Sequence, residues 1–140
     1  MTAIVRKCPS APMRWLQQEG LIEGRVLDYG CGRGFDAGHY GFDAYDPNWR
    51  PRCVSGTYDT VTCIYVLNVV TGAVAADIIL KVRRLLAPGG TAYIAVRRDI
   101  PRAGRKGRGC YQRYVTLDAP AILLKETSSF AVYALSDLSN

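Results

Sequence analysis

The sequence lacks the features that define several large classes of protein. Its 140 residues include one histidine, two methionines and two tryptophans. No stretch approaches the roughly 20 apolar residues that a membrane-spanning helix requires. Arg6 and Lys7 near the N-terminus are not followed by an apolar run, so we expect no secretory signal. These absences predict a protein without a membrane partner.

Soft metal ligands are also scarce. The five cysteines are an odd number and form no Cys-x-x-Cys pair, and His39 is the single histidine. A zinc site or a disulfide framework would need regularly spaced ligands or paired thiols. We therefore expect no metal and a reduced, cytoplasmic protein.

The composition favours one folded domain, residues 1–140, with an uneven charge. Hydrophobic residues make up 49% of the chain and charged residues 21%, which is typical of a globular protein. Residues 1–70 contain seven basic and seven acidic residues, so their net charge is zero. The whole net charge of +6 therefore lies in residues 71–140. An asymmetry of this kind indicates an anionic partner for the second half.

Short apolar runs alternate with helical patterns along the chain. Strands are predicted at residues 25–29, 42–45, 59–67, 91–96, 111–115 and 130–135. Helices are predicted at residues 13–19, 35–40, 73–86 and 119–125, and the Pro-Gly-Gly run at 88–90 ends the third of them. The alternation predicts an α/β fold with a mostly parallel, Rossmann-like sheet between helices.

The strongest motif follows the first predicted strand. Asp28 ends the apolar part of that strand, and Gly30, Gly32 and Gly34 follow at alternate positions. Glycines let a backbone turn sharply and approach a ligand closely, and the next helix N-terminus favours polar groups. The dinucleotide-binding pattern Gly-x-Gly-x-x-Gly fails from Gly30, because Phe35 occupies its third position. It fits formally from Gly32, but residues 29–31 then lie between Asp28, the end of the apolar part of the strand, and the first glycine.

In register, Asp28 with its three alternating glycines resembles the first motif of class I S-adenosylmethionine (SAM)-dependent methyltransferases. The resemblance extends in order through 42–47, 58–70 and 85–90. It implies a truncated class I methyltransferase fold and SAM as cofactor. The implied cofactor-binding residues are Asp28, Tyr29, Gly30, Gly32, Gly34, Asp46 and Tyr65. In that family the glycine loop wraps the methionine part and the second-strand acid, here Asp46, binds the ribose hydroxyls; Asp43 is the weaker candidate.

A narrower resemblance covers most of the chain. Residues 28–34, 45–47, 65–69 and 109–116 are similar to the methyltransferases associated with DNA phosphorothioation. The chain departs from the wider family between Asp46 and Tyr58, where eleven residues are too few for the usual second helix and third strand. The acid that commonly binds the adenine amine in that family has no counterpart here, so either apolar contacts from Trp49, Pro51 and Val54 hold the adenine or cofactor binding is weak or lost.

The catalytic residues are less well marked. No proline pair follows the strand at 59–67, and no Pro-Cys pair occurs, so two motifs of nucleic-acid methyltransferases are absent. Asn68 and Tyr65 are the positional candidates for catalysis, with a loop cap and a buried aromatic as alternative roles. His39 is a further general-base candidate, although a structural or exposed position suits a lone histidine better.

A basic, glycine-containing loop runs from Arg97 to Arg113. It contains seven basic residues and one acid, Asp99. It follows a strand whose carboxyl end shares the ligand-binding edge of such sheets. With Tyr111 and Tyr114 available for base stacking, a mobile basic lid suits a phosphate-bearing substrate. The loop therefore predicts nucleic acid as substrate or partner, with an exposed solubilising surface as the alternative.

Together these observations predict a SAM-dependent methyltransferase that acts on nucleic acid or another anionic substrate. Two alternatives stay open. The chain could be a non-catalytic or degenerate SAM-binding subunit that works through a partner, because no catalytic motif is complete. A nicotinamide-dependent enzyme is the second alternative.

Overall fold

The computed structural model describes residues 8–30, 32, 34–48, 56–107 and 110–138. Its main feature is a six-stranded sheet in the order β2-β1-β3-β4-β8-β7. The strands are β1 (Val26–Tyr29), β2 (Asp43–Tyr45), β3 (Tyr58–Ile64), β4 (Leu86–Arg97), β7 (Ile122–Glu126) and β8 (Phe130–Ser136). The first four strands in that order are parallel, and β8 and β7 add antiparallel pairings. The predicted α/β fold with a mostly parallel sheet is confirmed.

Helices cover both faces of this sheet. They are α1 (Ala11–Gln18), α2 (Phe35–Tyr40) and α3 (Gly72–Arg84), and a single 3-10 turn (Leu67–Val69) precedes α3. Side chains alternate between the faces along β4, as they do in any strand. Tyr93 and Ala95 pack on the side of α1, while Ile94 and Val96 join the larger cluster that includes α3. The apolar side chains of β4 therefore supply both halves of the core.

The final part of the chain differs from the prediction. Residues 119–125 do not form a helix, because β7 pairs with β8 from Ile122 to Glu126. A tight turn joins the two strands, where the Thr127 hydroxyl oxygen accepts from the amides of Ser129 and Phe130 at 3.1 Å. Leucine and lysine favour helices on their own, but pairing with a neighbouring strand overrides so weak a preference.

The basic loop also has its own structure. It contains a two-stranded antiparallel hairpin, β5 (Arg105–Gly107) with β6 (Cys110–Gln112). The predicted strand at 111–115 is therefore shorter and belongs to this hairpin rather than to the main sheet. Among the described residues, no strand lies beyond β2 at its edge of the sheet, in agreement with the short spacing from Asp46 to Tyr58. No helix of the described part is both long and apolar enough to cross a membrane.

Candidate functional site

The glycine turn lies beyond the carboxyl ends of β1 and β2. Gly30 follows β1 directly, with φ at 76°, and its amide donates to the Tyr45 carbonyl oxygen at 2.7 Å. A β-carbon at Gly30 would lie 2.5 Å from Cγ2 of Val66, in the loop after β3. Only glycine allows this backbone path together with this close approach. The turn is thus held against both neighbouring strands.

Asp46 lies at the end of β2 and is joined to the glycine turn. Its carboxylate is 2% exposed, and Oδ2 accepts from the Gly32 amide at 2.9 Å. Oδ1 accepts from the amide of Asn48 at the same distance. The two oxygens of a carboxylate are acceptors, which is the chemistry that donors on adjacent atoms, such as two neighbouring hydroxyls, require. The structure therefore brings together two elements that the sequence assigned to one cofactor.

Asp28 lies in β1, two residues before Gly30, and is bonded to the neighbouring strand. It is 4% exposed, and its Oδ1 accepts from the Thr62 hydroxyl at 2.9 Å. The two residues are register partners across β1 and β3. This contact fixes the carboxylate two residues before Gly30, at the point where the chain leaves the sheet.

Two tyrosines line the same edge. Tyr29 and Tyr45 are register partners in β1 and β2, and their ring centroids are 5.0 Å apart. Burial, followed by the neighbouring Tyr45, raises the pKa of Tyr29, so the Tyr29 phenol stays neutral at physiological pH. The predicted site residue Tyr29 therefore offers an aromatic surface and a neutral hydroxyl.

A contact that the sequence did not reveal holds α1 against the glycine turn. Asp36 lies in the first turn of α2 and is buried; it accepts from both the amide and the hydroxyl of Ser10, at 3.0 and 2.7 Å. The Ser10 hydroxyl also accepts from the amide of Met13, which caps α1. Gly34, the last glycine of the motif, is the N-cap of α2. Ser10 thus links α1 to the helix that follows the turn.

Tyr65 follows β3 in an unusual conformation. Its φ is 61°, which is rare for a residue with a side chain, and its amide donates to the Ala95 carbonyl oxygen at 2.9 Å. Strain of this kind is common where a chain turns at a functional edge. The Arg97 guanidinium carbon lies 5.7 Å from the centre of the Tyr65 ring. The half-buried side chain is therefore positioned between β3 and the start of the basic loop.

Asn68 is fully buried and joins three segments. Its Oδ1 accepts from the Arg97 amide at 2.8 Å, and its Nδ2 donates to the Arg113 carbonyl oxygen at 2.7 Å. Its own carbonyl oxygen accepts from the Arg113 amide. Both ends of the basic loop therefore meet at this one side chain. The geometry is that of a positioning residue, and a direct catalytic role for Asn68 stays a prediction.

The basic residues of the loop divide into two groups. Arg98 points inward, where it donates to Glu126, the Val115 carbonyl oxygen and the Tyr133 hydroxyl. Arg113 donates to the carbonyl oxygens of Val70 and Leu67. These two arginines hold the fold together, so the predicted lid is not a uniformly exposed surface.

Arg97 is paired and the remaining described cations are exposed. Arg97 forms a two-point ion pair with Asp99, at 2.8 and 2.6 Å. Arg102, Arg105 and Lys106 are exposed. The described part of the loop includes the paired strands β5 and β6, and its mobility stays a prediction.

Some predicted contacts cannot be placed. His39 is exposed and its ring stacks against Phe35. The expected adenine contacts Trp49, Pro51 and Val54 lie outside the described residues, as do Cys31 and Arg108.

Comparison with known proteins finds likeness of structure alone. No model of a known protein family matches the chain, and no curated protein matches its sequence. DhpI, solved in complex with S-adenosylhomocysteine (SAH), matches 89% of this chain and 82% of its own, with a TM-score of 0.58 and 15% identity. PH0226 from Pyrococcus horikoshii OT3 matches 91% of this chain and 90% of its own, with a TM-score of 0.57 and 14% identity.

An enzyme with a named activity matches almost as well. Magnesium protoporphyrin IX methyltransferase (ChlM) from Synechocystis PCC 6803, solved with bound SAM, matches 89% of this chain and 75% of its own. Its TM-score is 0.54 and its identity 15%. The chain therefore has the fold of class I SAM-dependent methyltransferases, as the glycine motif predicted. The narrower resemblance to the phosphorothioation-associated group stays a prediction.

Proposed function

We propose that the chain binds SAM at the carboxyl edge of β1 and β2 and transfers its methyl group to a substrate. The observation that carries the proposal is the bond from the Gly32 amide to the buried carboxylate of Asp46. The bond joins the glycine turn to a carboxylate that suits ribose hydroxyls, and the fold is shared with proteins solved with SAM or SAH, which supports the proposal.

The residues present fit this cofactor. The turn of Gly30, Gly32 and Gly34 offers backbone without side chains, as an extended amino-acid group requires. The Asp46 carboxylate is an acceptor of the kind that two adjacent hydroxyls require. Asp28, Tyr29 and Tyr65 border the same edge and complete the proposed cofactor set.

When bound, SAM supplies an electrophilic methyl group on a sulfonium. The chain's contribution is to hold the reacting groups in line and to exclude water, which accounts for much of the acceleration in such reactions. Tyr65 is the proposed catalytic contact at the edge, and Asn68 fixes the loop beside it. Tyr29 remains a neutral hydroxyl because burial raises its pKa.

Calorimetry with SAM and SAH tests the cofactor site. We expect micromolar binding by the wild-type chain and at least a tenfold loss in Asp46→Ala, because two charge-assisted hydrogen bonds disappear. Asp43→Ala is the matched control, since this second acid of β2 is bound to the Tyr58 hydroxyl at 2.8 Å and to Arg25. The control should keep wild-type affinity.

Two outcomes would contradict the proposal. One is an absence of binding at millimolar ligand, and the other is an equal loss in both variants. Because both Asp46 oxygens accept from backbone amides, thermal unfolding of Asp46→Ala and of the wild-type chain must be compared to separate a folding defect from a lost ligand contact. Binding without methyl transfer to any labelled substrate would favour the non-catalytic subunit instead.

A further inference from the structure

The segment between Arg97 and Arg113 is a discrete arm with a fixed base. Asn68 binds the Arg97 amide at one end and the Arg113 carbonyl oxygen at the other. The Arg113 guanidinium adds bonds to Val70 and Leu67, at 2.6 and 3.3 Å. This base lies directly after β3 and β4, at the carboxyl edge to which the glycine turn also belongs.

The outer part of the arm is cationic and has little acid to balance it. Arg102, Arg105 and Lys106 are exposed, and Asp99, the single acid between Arg97 and Arg113, is already bound by Arg97. Nucleic-acid phosphates are the common partners of clustered exposed cations at such an edge.

An anchored aromatic ring lies opposite one of these cations, Lys106. Tyr111 is 51% exposed, and its hydroxyl donates to the Ala103 carbonyl oxygen. A β-carbon at Gly104 would collide with that hydroxyl, so the glycine leaves the space in which it rests. Tyr111 is also the register partner of Lys106, and directly opposed residues of an antiparallel pair share a face. The hairpin therefore presents a cation beside a held, exposed ring.

From this arrangement we propose that the arm binds single-stranded nucleic acid, with Arg105 and Lys106 on phosphates and Tyr111 stacked on a base. The inference rests on the proposed function, because the bound strand would be the methyl acceptor. A single strand fits better than a duplex, since an exposed ring can stack only on a base that is free of its neighbours. An acidic protein would use the cations but would have no partner for the ring.

Fluorescence anisotropy with a labelled oligothymidylate of about 20 nucleotides tests the proposal; a single binding domain covers about 4–16. The double variant Arg105→Ser, Lys106→Ser should bind on the order of tenfold more weakly. Its plot of log affinity against log salt should be flatter by about 1.4, at about 0.7 per lost phosphate contact. Tyr111→Ala should weaken binding by about 5- to 150-fold, while Tyr111→Phe, which keeps the ring and loses only its anchoring hydrogen bond, should weaken it less.

A matched double variant separates a local site from general attraction. Arg84→Ser, Lys125→Ser removes two exposed cations that lie outside the arm, so its net charge falls equally. The proposal is overturned if both double variants lose the same affinity, or if Tyr111→Ala behaves as Tyr111→Phe. Tighter binding of a duplex or of polyglutamate than of the single strand would overturn it too.

These measurements need no cofactor, so they stand apart from the proposed function. If the chain binds SAM but its oligonucleotide affinity does not depend on the arm, the methyltransferase proposal stands and the proposal for the arm is wrong. If oligonucleotide binding depends on the arm but the chain binds no SAM, the proposal for the arm stands and the proposed cofactor site is wrong.

Discussion

Charged side chains are buried around the glycine turn and exposed on the outer part of the arm. Around the turn, Asp28, Asp36 and Asp46 are all buried, and each accepts hydrogen bonds from groups of the chain itself. On the arm, Arg102, Arg105 and Lys106 are exposed to solvent. Buried and bonded groups are preorganised for one ligand, whereas exposed charges attract any partner of opposite sign. The turn thus suits a small, fixed ligand and the arm a larger, variable one.

Asn68 holds both ends of the arm, and its loss should have the largest effect. Asn68→Ala removes partners from the Arg97 amide and the Arg113 carbonyl oxygen. We expect a loss of about 2–4 kcal/mol in the free energy of unfolding, because each group left without a partner costs about 1–3 kcal/mol. Urea denaturation measures the loss, and faster tryptic cleavage at Arg105 and Lys106 would show that the arm has loosened.

A second amide on the arm provides the control. Gln112 makes only a 3.4 Å contact with Arg105, so Gln112→Ala should change the unfolding free energy by less than about 0.5 kcal/mol. If Asn68→Ala is as mild as Gln112→Ala, the base of the arm is not held by this side chain. The contrast between a fixed base and an exposed tip would then fail.

Ser10 contacts the helix that follows the glycine turn, so its substitution should leave the arm unchanged. Ser10→Ala removes the cap of α1 and the hydroxyl that donates to buried Asp36, and should cost about 2 kcal/mol. Thr71 caps α3 through the amide of Val74, so Thr71→Ala should cost about 1 kcal/mol. Thermal unfolding gives both values, and SAM affinity should fall only in Ser10→Ala. If Ser10→Ala and Thr71→Ala had the same effect on stability and the same effect on SAM affinity, the bond from Ser10 to Asp36 would contribute nothing.

The sequence predicts the turn well because its information is local. Asp28 and the three glycines lie within seven residues, and their conformation depends on their own backbones. Ser10 and Asp36 are 26 residues apart, and Asn68 and Arg113 are 45 apart. No spacing rule connects such pairs, so only the folded chain reveals them.

For the arm, the sequence reveals the charge but not the orientation of the side chains. Its charge and its boundaries at Arg97 and Arg113 are evident from composition, but the direction of each side chain is not. Arg98 and Arg102 look alike in the sequence, yet the Arg98 side chain is 4% exposed beside Glu126, whereas Arg102 is exposed. The same limit explains β7, where pairing with β8 decides between helix and strand.

The smallest effect we predict concerns the ion pair on the arm. Hydrogen bonding from the Arg97 guanidinium, at 2.8 and 2.6 Å, lowers the pKa of Asp99 below its usual value. A carboxyl whose pKa is lower in the folded state adds stability above its unfolded pKa of about 3.9, and that stability disappears as pH falls through the folded value. Asp99→Asn should therefore be less stable than wild type at neutral pH, and the difference should vanish in acid.

The exposure of Asp99 limits the size of that loss. The Asp99 side chain is 44% exposed, so solvent screening should keep the loss below about 1 kcal/mol. Because the Debye length shortens to about 3 Å at 1 M salt, the loss should shrink further when unfolding is repeated at that concentration. The effect of Ser10→Ala on the buried carboxylate of Asp36 should hardly respond to salt. A salt-independent loss in Asp99→Asn would place that carboxylate with the preorganised groups of the turn instead.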